Sequence, residues 1–312
     1  MEPRSYAIIG TGALGGFYGA RLQRAGCDVH FLLHSDYEYV KQHGLICESK
    51  DGNFTLPHVN AYRDARDMPR CDVVCVTLKT TQNHLLPSML PPIMKDDGVV
   101  VVMQNGLGVE DEIAKTVGPQ RVMGGLCFIC SYKVGPGHIQ HLDYGLVALG
   151  EFSTRGVSDR MRAIGDDFQR AGIPIQLAEH LAAVRWQKLV WNIPYNGLSV
   201  VLNANTDALM ADPHTRALIE QLMHEVVADG RACGADPGGE IVAKMLANTE
   251  KMAPYRTSMK IDFDEHRPME VETMFGNPLR AAQRAGEKTP LIGMLYAELK
   301  FLDGINQRSA SA

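Results

Sequence analysis

Short apolar runs without polar alternation mark the first part of the chain: Tyr6-Ala7-Ile8-Ile9, Val29-His30-Phe31-Leu32-Leu33, Val73-Val74-Cys75-Val76-Thr77 and Val99-Val100-Val101-Val102-Met103. Rich in β-branched residues and bounded by glycine or polar clusters, they predict strands of a parallel sheet covered on both faces. Helical spacing separates them, at Phe17, Ala20, Leu22 and Ala25 with a stop at Gly26, and again around Thr81–Met94. Further strands are expected at Val122–Cys130, His138–His141, Leu146–Leu149 and Pro174–Leu177. A turn is expected at Gly135-Pro136-Gly137, and a helix closes over Phe168–Gly172.

From Ala178 the pattern becomes helical. Arg185–Ser199 is apolar almost all the way round, the mark of a buried helix. A second helix starts at Asp212-Pro213 and runs to about Cys233-Gly234, with proline just inside its start and glycine past its end. Others are expected over Gly239–Lys251, Met269–Ala285 and Pro290–Leu302, with Gln307–Ala312 as a frayed tail. The fold class is therefore an α/β Rossmann-type, doubly wound domain over residues 1–177, followed by an all-α domain over residues 178–312.

Candidate chemistry enters with the first strand. Gly10-Thr11-Gly12-Ala13-Leu14-Gly15 lies between a strand and a helix, the context in which GxGxxG binds a dinucleotide. Its glycines let the backbone approach a pyrophosphate, and the helix N-terminus offers free N–H groups to the negative charge. After the second strand a carboxylate would mark NAD. His34-Ser35 stand there instead, with Asp36 only afterward, which favours the 2′-phosphate of NADP and leaves NAD open. Lys79 and Asn105 follow the carboxyl ends of two strands, where an open sheet binds ligands, although a loop lysine and a plain Asn-Gly turn explain them equally well.

Within Arg185–Ser199, Lys188, Asn192 and Asn196 recur every fourth residue and share one flank. Two readings are open: a polar edge reaching solvent, with Lys188 snorkelling outward, or a buried site whose polar groups have partners. His224-Glu225 lacks the second histidine of a zinc-protease helix, because position 228 is Ala. Cys127-Phe128-Ile129-Cys130 lies in an expected strand, whose residues three apart face opposite sides, so no metal site is expected.

Composition narrows the class. The chain has 312 residues, 45% hydrophobic and 21% charged, which is enough for two domains with their own cores. A formal net charge of -5, with no basic run, argues against nucleic acid. No apolar stretch reaches membrane-span length, and the N-terminus enters a strand at once, so a cytoplasmic protein with neither membrane anchor nor signal peptide is expected. Seven cysteines scattered through apolar segments fit reduced, core-filling thiols.

Taken together, these motifs resemble the ketopantoate reductase family (2-dehydropantoate 2-reductases) over nearly the full length. The resemblance rests on the glycine motif, Val76-Thr77-Leu78-Lys79, Asn105-Gly106-Leu107-Gly108, Lys188-x-x-x-Asn192-x-x-x-Asn196, and Ser258 followed by Arg267-x-x-Glu270. It implies NADPH-dependent reduction of a 2-keto acid, ketopantoate in the type members. It further implies Lys188 as proton donor, Glu270 beside the lysine, Asn105 at the nicotinamide end, Asn192 and Asn196 on substrate oxygens, Ser258 on the carboxylate and Lys79 on the cofactor side. The region after Asn196, Leu198–Thr206, lacks a clear match to a further substrate asparagine, and the chain departs from the family pattern in four further ways. His34 stands where members often have Arg, Pro194 lies inside the Lys188 helix, Glu270-Val271-Glu272 replaces Glu-Ile-Asp, and Phe275-Gly276 replaces Asn-Gly with an asparagine only at Asn277. A β-hydroxyacid dehydrogenase acting on another substrate and a non-catalytic NADP(H)-sensing module are the competing readings. The helical half offers surfaces for self-association as a homodimer, without a feature that fixes one.

Overall fold

The computed structural model describes residues 3–310. They divide into two compact units: residues 1–104 with 109–181, and residues 105–108 with 182–312. The sequence places a single break near residue 177. In the structure the chain also enters the helical unit earlier, for the four residues Asn105–Gly108 that follow a strand.

The first unit is built on one sheet. Its strands are β1 (Ser5–Ile9), β2 (Asp28–Leu32), β3 (Leu45–Ser49), β4 (Phe54–Leu56), β5 (Asn60–Tyr62), β6 (Cys71–Val76), β7 (Met94–Val102), β8 (Val122–Gly135), β9 (His138–Glu151) and β10 (Ile175–Ala178). The order across the sheet is β4-β3-β9-β8-β7-β6-β1-β2-β5, with β10 also on β9. From β5 to β8 all pairings are parallel, and β8–β9 is antiparallel. Helices α1 (Ala13–Arg24), α2 (Tyr37–His43), α3 (Leu86–Ile93), α4 (Val109–Val117) and α5 (Asp159–Arg170) complete it. Two apolar clusters line the sheet. One gathers Ile8, Phe17, Phe31 and Val101, and the other Ile9, Val74, Val76 and Val100, so successive residues of one strand serve opposite faces. That is why the runs show no alternation.

Two expectations for this unit change. The helix expected around Thr81–Met94 begins as a 3₁₀ turn over Thr80–Leu85, and Met94 already belongs to β7. The strand segments expected between Val122 and Leu149 merge into one long hairpin. Its register shifts at Phe128/Ile129, Cys130/Ser131 and Lys133/Gly135, and these bulges scramble the period that would have revealed its length.

The helical unit holds α6 (Leu181–Val201) from Ala182 onward, α7 (Thr206–Ala211), α8 (Pro213–Ala232), α9 (Ile241–Glu250), α10 (Ser258–Asp264), α11 (Asn277–Arg284) and α12 (Pro290–Ala310). Asp212 caps α8 by accepting from His214 and Thr215 N–H, both at 2.9 Å. Core residues Trp186, Leu189, Val190, Ile193, Tyr195 and Leu198 lie around most of α6, so this helix is the centre of the unit's core. The helix expected over Met269–Ala285 is regular only from Asn277. A π turn, Glu272–Gly276, precedes it. Helix α12 runs on to Ala310 where a frayed tail was expected, and residues 311–312 lie outside the described ones, as do Met1 and Glu2. Among the described residues, no helix is long and apolar enough to cross a membrane.

Candidate active site

In the α/β unit, strands β2 and β6 flank β1, so the sheet order reverses at β1 and the loops after β1 and β6 are neighbours. Thr77 Oγ1 donates to Gly10 O at 2.6 Å, and Gln104 Nε2 donates to Leu78 O at 2.9 Å, which fixes the loop that carries Lys79. Gly10 has φ +96°, and a Cβ there would lie 2.7 Å from Leu78 N. At Gly15 a Cβ would sit 2.4 Å from Gly10 O and 2.5 Å from Thr77 Oγ1. Gly12, by contrast, would meet nothing within 4 Å. Two glycines are thus demanded by the turn itself, while the third faces open space at the start of α1, beside Ala13 and Leu14. Such a cradle fits a pyrophosphate. Thr11 Oγ1 donates to Leu32 O at 3.1 Å, so this hydroxyl ties the loop to the end of β2.

Beyond β2, His34 and Ser35 are exposed and Asp36 is buried. Asp36 pairs with Lys133 at 2.7 Å and accepts from Gly137 N–H at 3.0 Å. Burial pushes its carboxyl up, but the Lys133 ammonium and the Gly137 N–H outweigh it and hold the group below the ordinary Asp value. This carboxylate is committed to the β8–β9 hairpin.

A substitution test follows from the cradle. Gly15→Ala overpacks the turn by about 1–3 kcal/mol and should weaken dinucleotide binding about tenfold or more, a factor equivalent to ~1.4 kcal/mol. Fluorescence titration with NADPH reads this directly, and unchanged affinity would show that the turn does not hold the pyrophosphate.

All the remaining candidates lie in the helical unit. Lys188, Asn192 and Asn196 are buried, at 8%, 7% and 3% exposure, which removes the reading of a solvent-facing edge. The helix continues through Pro194, which has no N–H to give to Val190 O. The Asn196 amide is turned toward α10: its Oδ1 accepts from Ser258 Oγ at 3.4 Å and from Met259 N–H at 3.3 Å, and its Nδ2 donates to Asn192 O at 3.1 Å. A second staple lies beside it. Ser199 Oγ and Thr257 Oγ1 are 2.7 Å apart and fully buried, and Thr257 caps α10 through Lys260 N–H. These bonds place Ser258 against α6.

Glu270 is buried at 3% exposure, on the segment between α10 and the π turn. An ion pair and hydrogen bonds hold that segment. Arg267 pairs with Asp262 at 2.9 Å, Met269 N–H donates to Asp303 Oδ1 at 2.9 Å, and Asn306 Nδ2 donates to Arg267 O at 3.4 Å. Asn105 heads the loop whose Leu107 N–H donates to Thr273 O at 2.8 Å, one turn after Glu270. Ser199, Thr257, Asp303 and Asn306 escaped the sequence reading, because a polar residue at a helix position carries no mark of a partner far along the chain. Among the described residues, no group of His, Cys, Asp or Glu could hold a metal ion.

Comparisons with known proteins show the family. The family model Ketopantoate reductase PanE/ApbA matches residues 6–154, and that of its C terminal part matches residues 180–303. The chain is similar to a 2-dehydropantoate 2-reductase of Nostoc sp., 62% identical over 311 residues that cover 98% of each chain. Among solved structures it is similar to the 2-dehydropantoate 2-reductase of Geobacter metallireducens, with TM-score 0.92 and 40% identity over 95% of this chain and 99% of that one. The corresponding structure from Methylococcus capsulatus gives 0.88 and 33%, covering 97% of both chains.

Proposed function

We propose that this chain, which belongs to the ketopantoate reductase family, reduces its 2-keto acid with NADPH and uses Lys188 as the proton donor. The family's reaction is the reduction of ketopantoate to pantoate, and the chain is an oxidoreductase of that kind. The observation that carries the proposal is the buried flank of α6, where Lys188, Asn192 and Asn196 lie in one unit with Ser258 and Glu270.

NADPH supplies the hydride. Everything else falls to the chain's own side chains. Addition of hydride to a ketone leaves an alkoxide, which needs a cation and a proton together. The Lys188 ammonium offers both, and its burial strengthens the attraction to the developing charge. Glu270 orients the ammonium. Ser258 takes the substrate carboxylate by turning toward it the hydroxyl proton that Asn196 Oδ1 accepts in this structure. Asn192 serves the substrate oxygens, and Asn196 acts on the substrate chiefly through Ser258. Asn105 serves the nicotinamide end of the site. In the α/β unit Gly10, Gly12 and Gly15 admit the pyrophosphate, Thr11, Ala13 and Leu14 shape its loop, and Lys79 lies on the cofactor side. His34 and Ser35 are left to read the 2′-phosphate, because Asp36 is spent on Lys133 and Gly137.

Oxidation of NADPH with a panel of 2-keto acids tests this reading. Ketopantoate should give the highest kcat/KM, and NADPH binding without turnover on any keto acid would instead support a sensing role. His34→Asp tests the cofactor side. The residue is exposed, so the fold should survive, and a carboxylate opposite the 2′-phosphate should shift preference toward NADH about tenfold or more. An unchanged NADPH to NADH ratio would show that position 34 does not read the phosphate.

A further inference from the structure

The departure at Phe275-Gly276-Asn277-Pro278 has a structural counterpart in the loop that carries Asn105. Both main-chain groups of Leu107 are held by the turn after Glu270: its N–H donates to Thr273 O at 2.8 Å, and its carbonyl accepts from Asn277 Nδ2 at 2.7 Å. In an α-helix, Thr273 O would receive the N–H of Asn277. The wider π turn sends that N–H to Glu272 O instead. The next N–H in line would belong to position 278, a proline, which has none. With its two customary helical donors diverted or missing, the Thr273 carbonyl accepts Leu107.

The approach is close. Gly106 has φ +96°, and a Cβ there would lie 2.6 Å from both Thr273 Cβ and Thr273 O. Asn277 is oriented in turn, because its Oδ1 accepts from Arg280 Nη2 at 2.6 Å, and Arg280 also reaches Glu272 Oε2 at 2.9 Å. The amide therefore presents its donor side to Leu107.

We propose that Asn277 is a positioning residue for the reaction: by fixing Leu107 it sets the backbone that presents Asn105. This inference rests on the role given to Asn105 above. Pro278 belongs to the same device, since its missing N–H leaves Thr273 O for the loop.

The test is a double-mutant cycle on kcat and KM with ketopantoate, joined to NADPH affinity by fluorescence titration. Asn277→Asp keeps the size and removes the donor. It should lower kcat/KM about 10- to 100-fold, the scale of a small misplacement at a reacting centre. In the Asn105→Ala background the same change should have less than about a twofold further effect, since interacting sites are non-additive. NADPH affinity should change in Asn277→Asp in the same direction as in Asn105→Ala. Should Asn277→Asp fail to fold, Pro278→Ala supplies the second arm. It keeps Asn277, returns an N–H that competes for Thr273 O, and should lower kcat/KM in the same sense. Full activity of Asn277→Asp or Pro278→Ala alongside a damaged Asn105→Ala, or effects that multiply across the cycle, would overturn this inference alone. Full activity of Asn105→Ala would overturn it together with the reading on which it rests.

Discussion

Replacing Lys188 by methionine should lower kcat for keto-acid reduction by about 10²–10⁴-fold, the range over which a positioned general acid acts. Methionine is long, unbranched and apolar, so it suits a buried position on α6, where only 8% of the lysine is exposed. The loss should therefore be of chemistry rather than of fold. NADPH affinity should remain within a few-fold of wild type, because the glycine cradle lies in the other unit. Steady-state kinetics and a nucleotide titration on the same sample separate the two effects. A variant that keeps wild-type kcat would remove Lys188 from the role of donor.

A second large effect is expected at Asp229 on α8. This carboxyl is 1% exposed, and its Oδ2 has no hydrogen-bond partner among the described residues. Burial, and then the nearby Glu225 and Glu287, push it up to about 7. An unfolded chain would hold this proton only up to the ordinary Asp value of about 4. The folded state thus binds the proton more tightly. The associated stability is full below pH ~4, is lost as the pH rises to about 7, and stays lost above it. The shift corresponds to about 2–4 kcal/mol. Asn cannot ionise, so Asp229→Asn should raise Tm by about 4–8 °C at pH 8 and by much less at pH 5. Thermal unfolding of both proteins across that range checks the sign. An equal change in Tm at the two pH values would rule out the titration of Asp229 as the cause.

The architecture was legible wherever one physical rule governs a run of residues. Val99–Met103 reads as a doubly covered strand because both faces are buried, and Asp212-Pro213 reads as a helix start because cap and fixed φ coincide. The fold was less legible where local rules compete. Ser131, Lys133 and Asp143 interrupt the apolar pattern of the long hairpin, and its register shifts break the period two further. In the helical unit, nothing in Glu270–Asn277 announces a π turn. The sole cue is Pro278, one residue beyond the shifted asparagine. The candidate site shows the same division. Lys188, Asn192 and Asn196 declare a common flank by spacing alone. That Asn196 is turned toward Ser258, or that Asp303 and Asn306 grip the segment before Glu270, depends on contacts between residues 34 to 62 positions apart. No local pattern encodes those.

If hydride passes directly from NADPH to the keto carbon, as proposed, isotope transfer will show it. Ketopantoate is incubated with the enzyme and NADPH carrying deuterium at both C4 positions of the nicotinamide, and the product is examined by mass spectrometry. The expected product is pantoate with deuterium on the carbon that was the ketone. NADPH consumption without labelled pantoate, or pantoate whose label comes only from deuterated solvent, would contradict it.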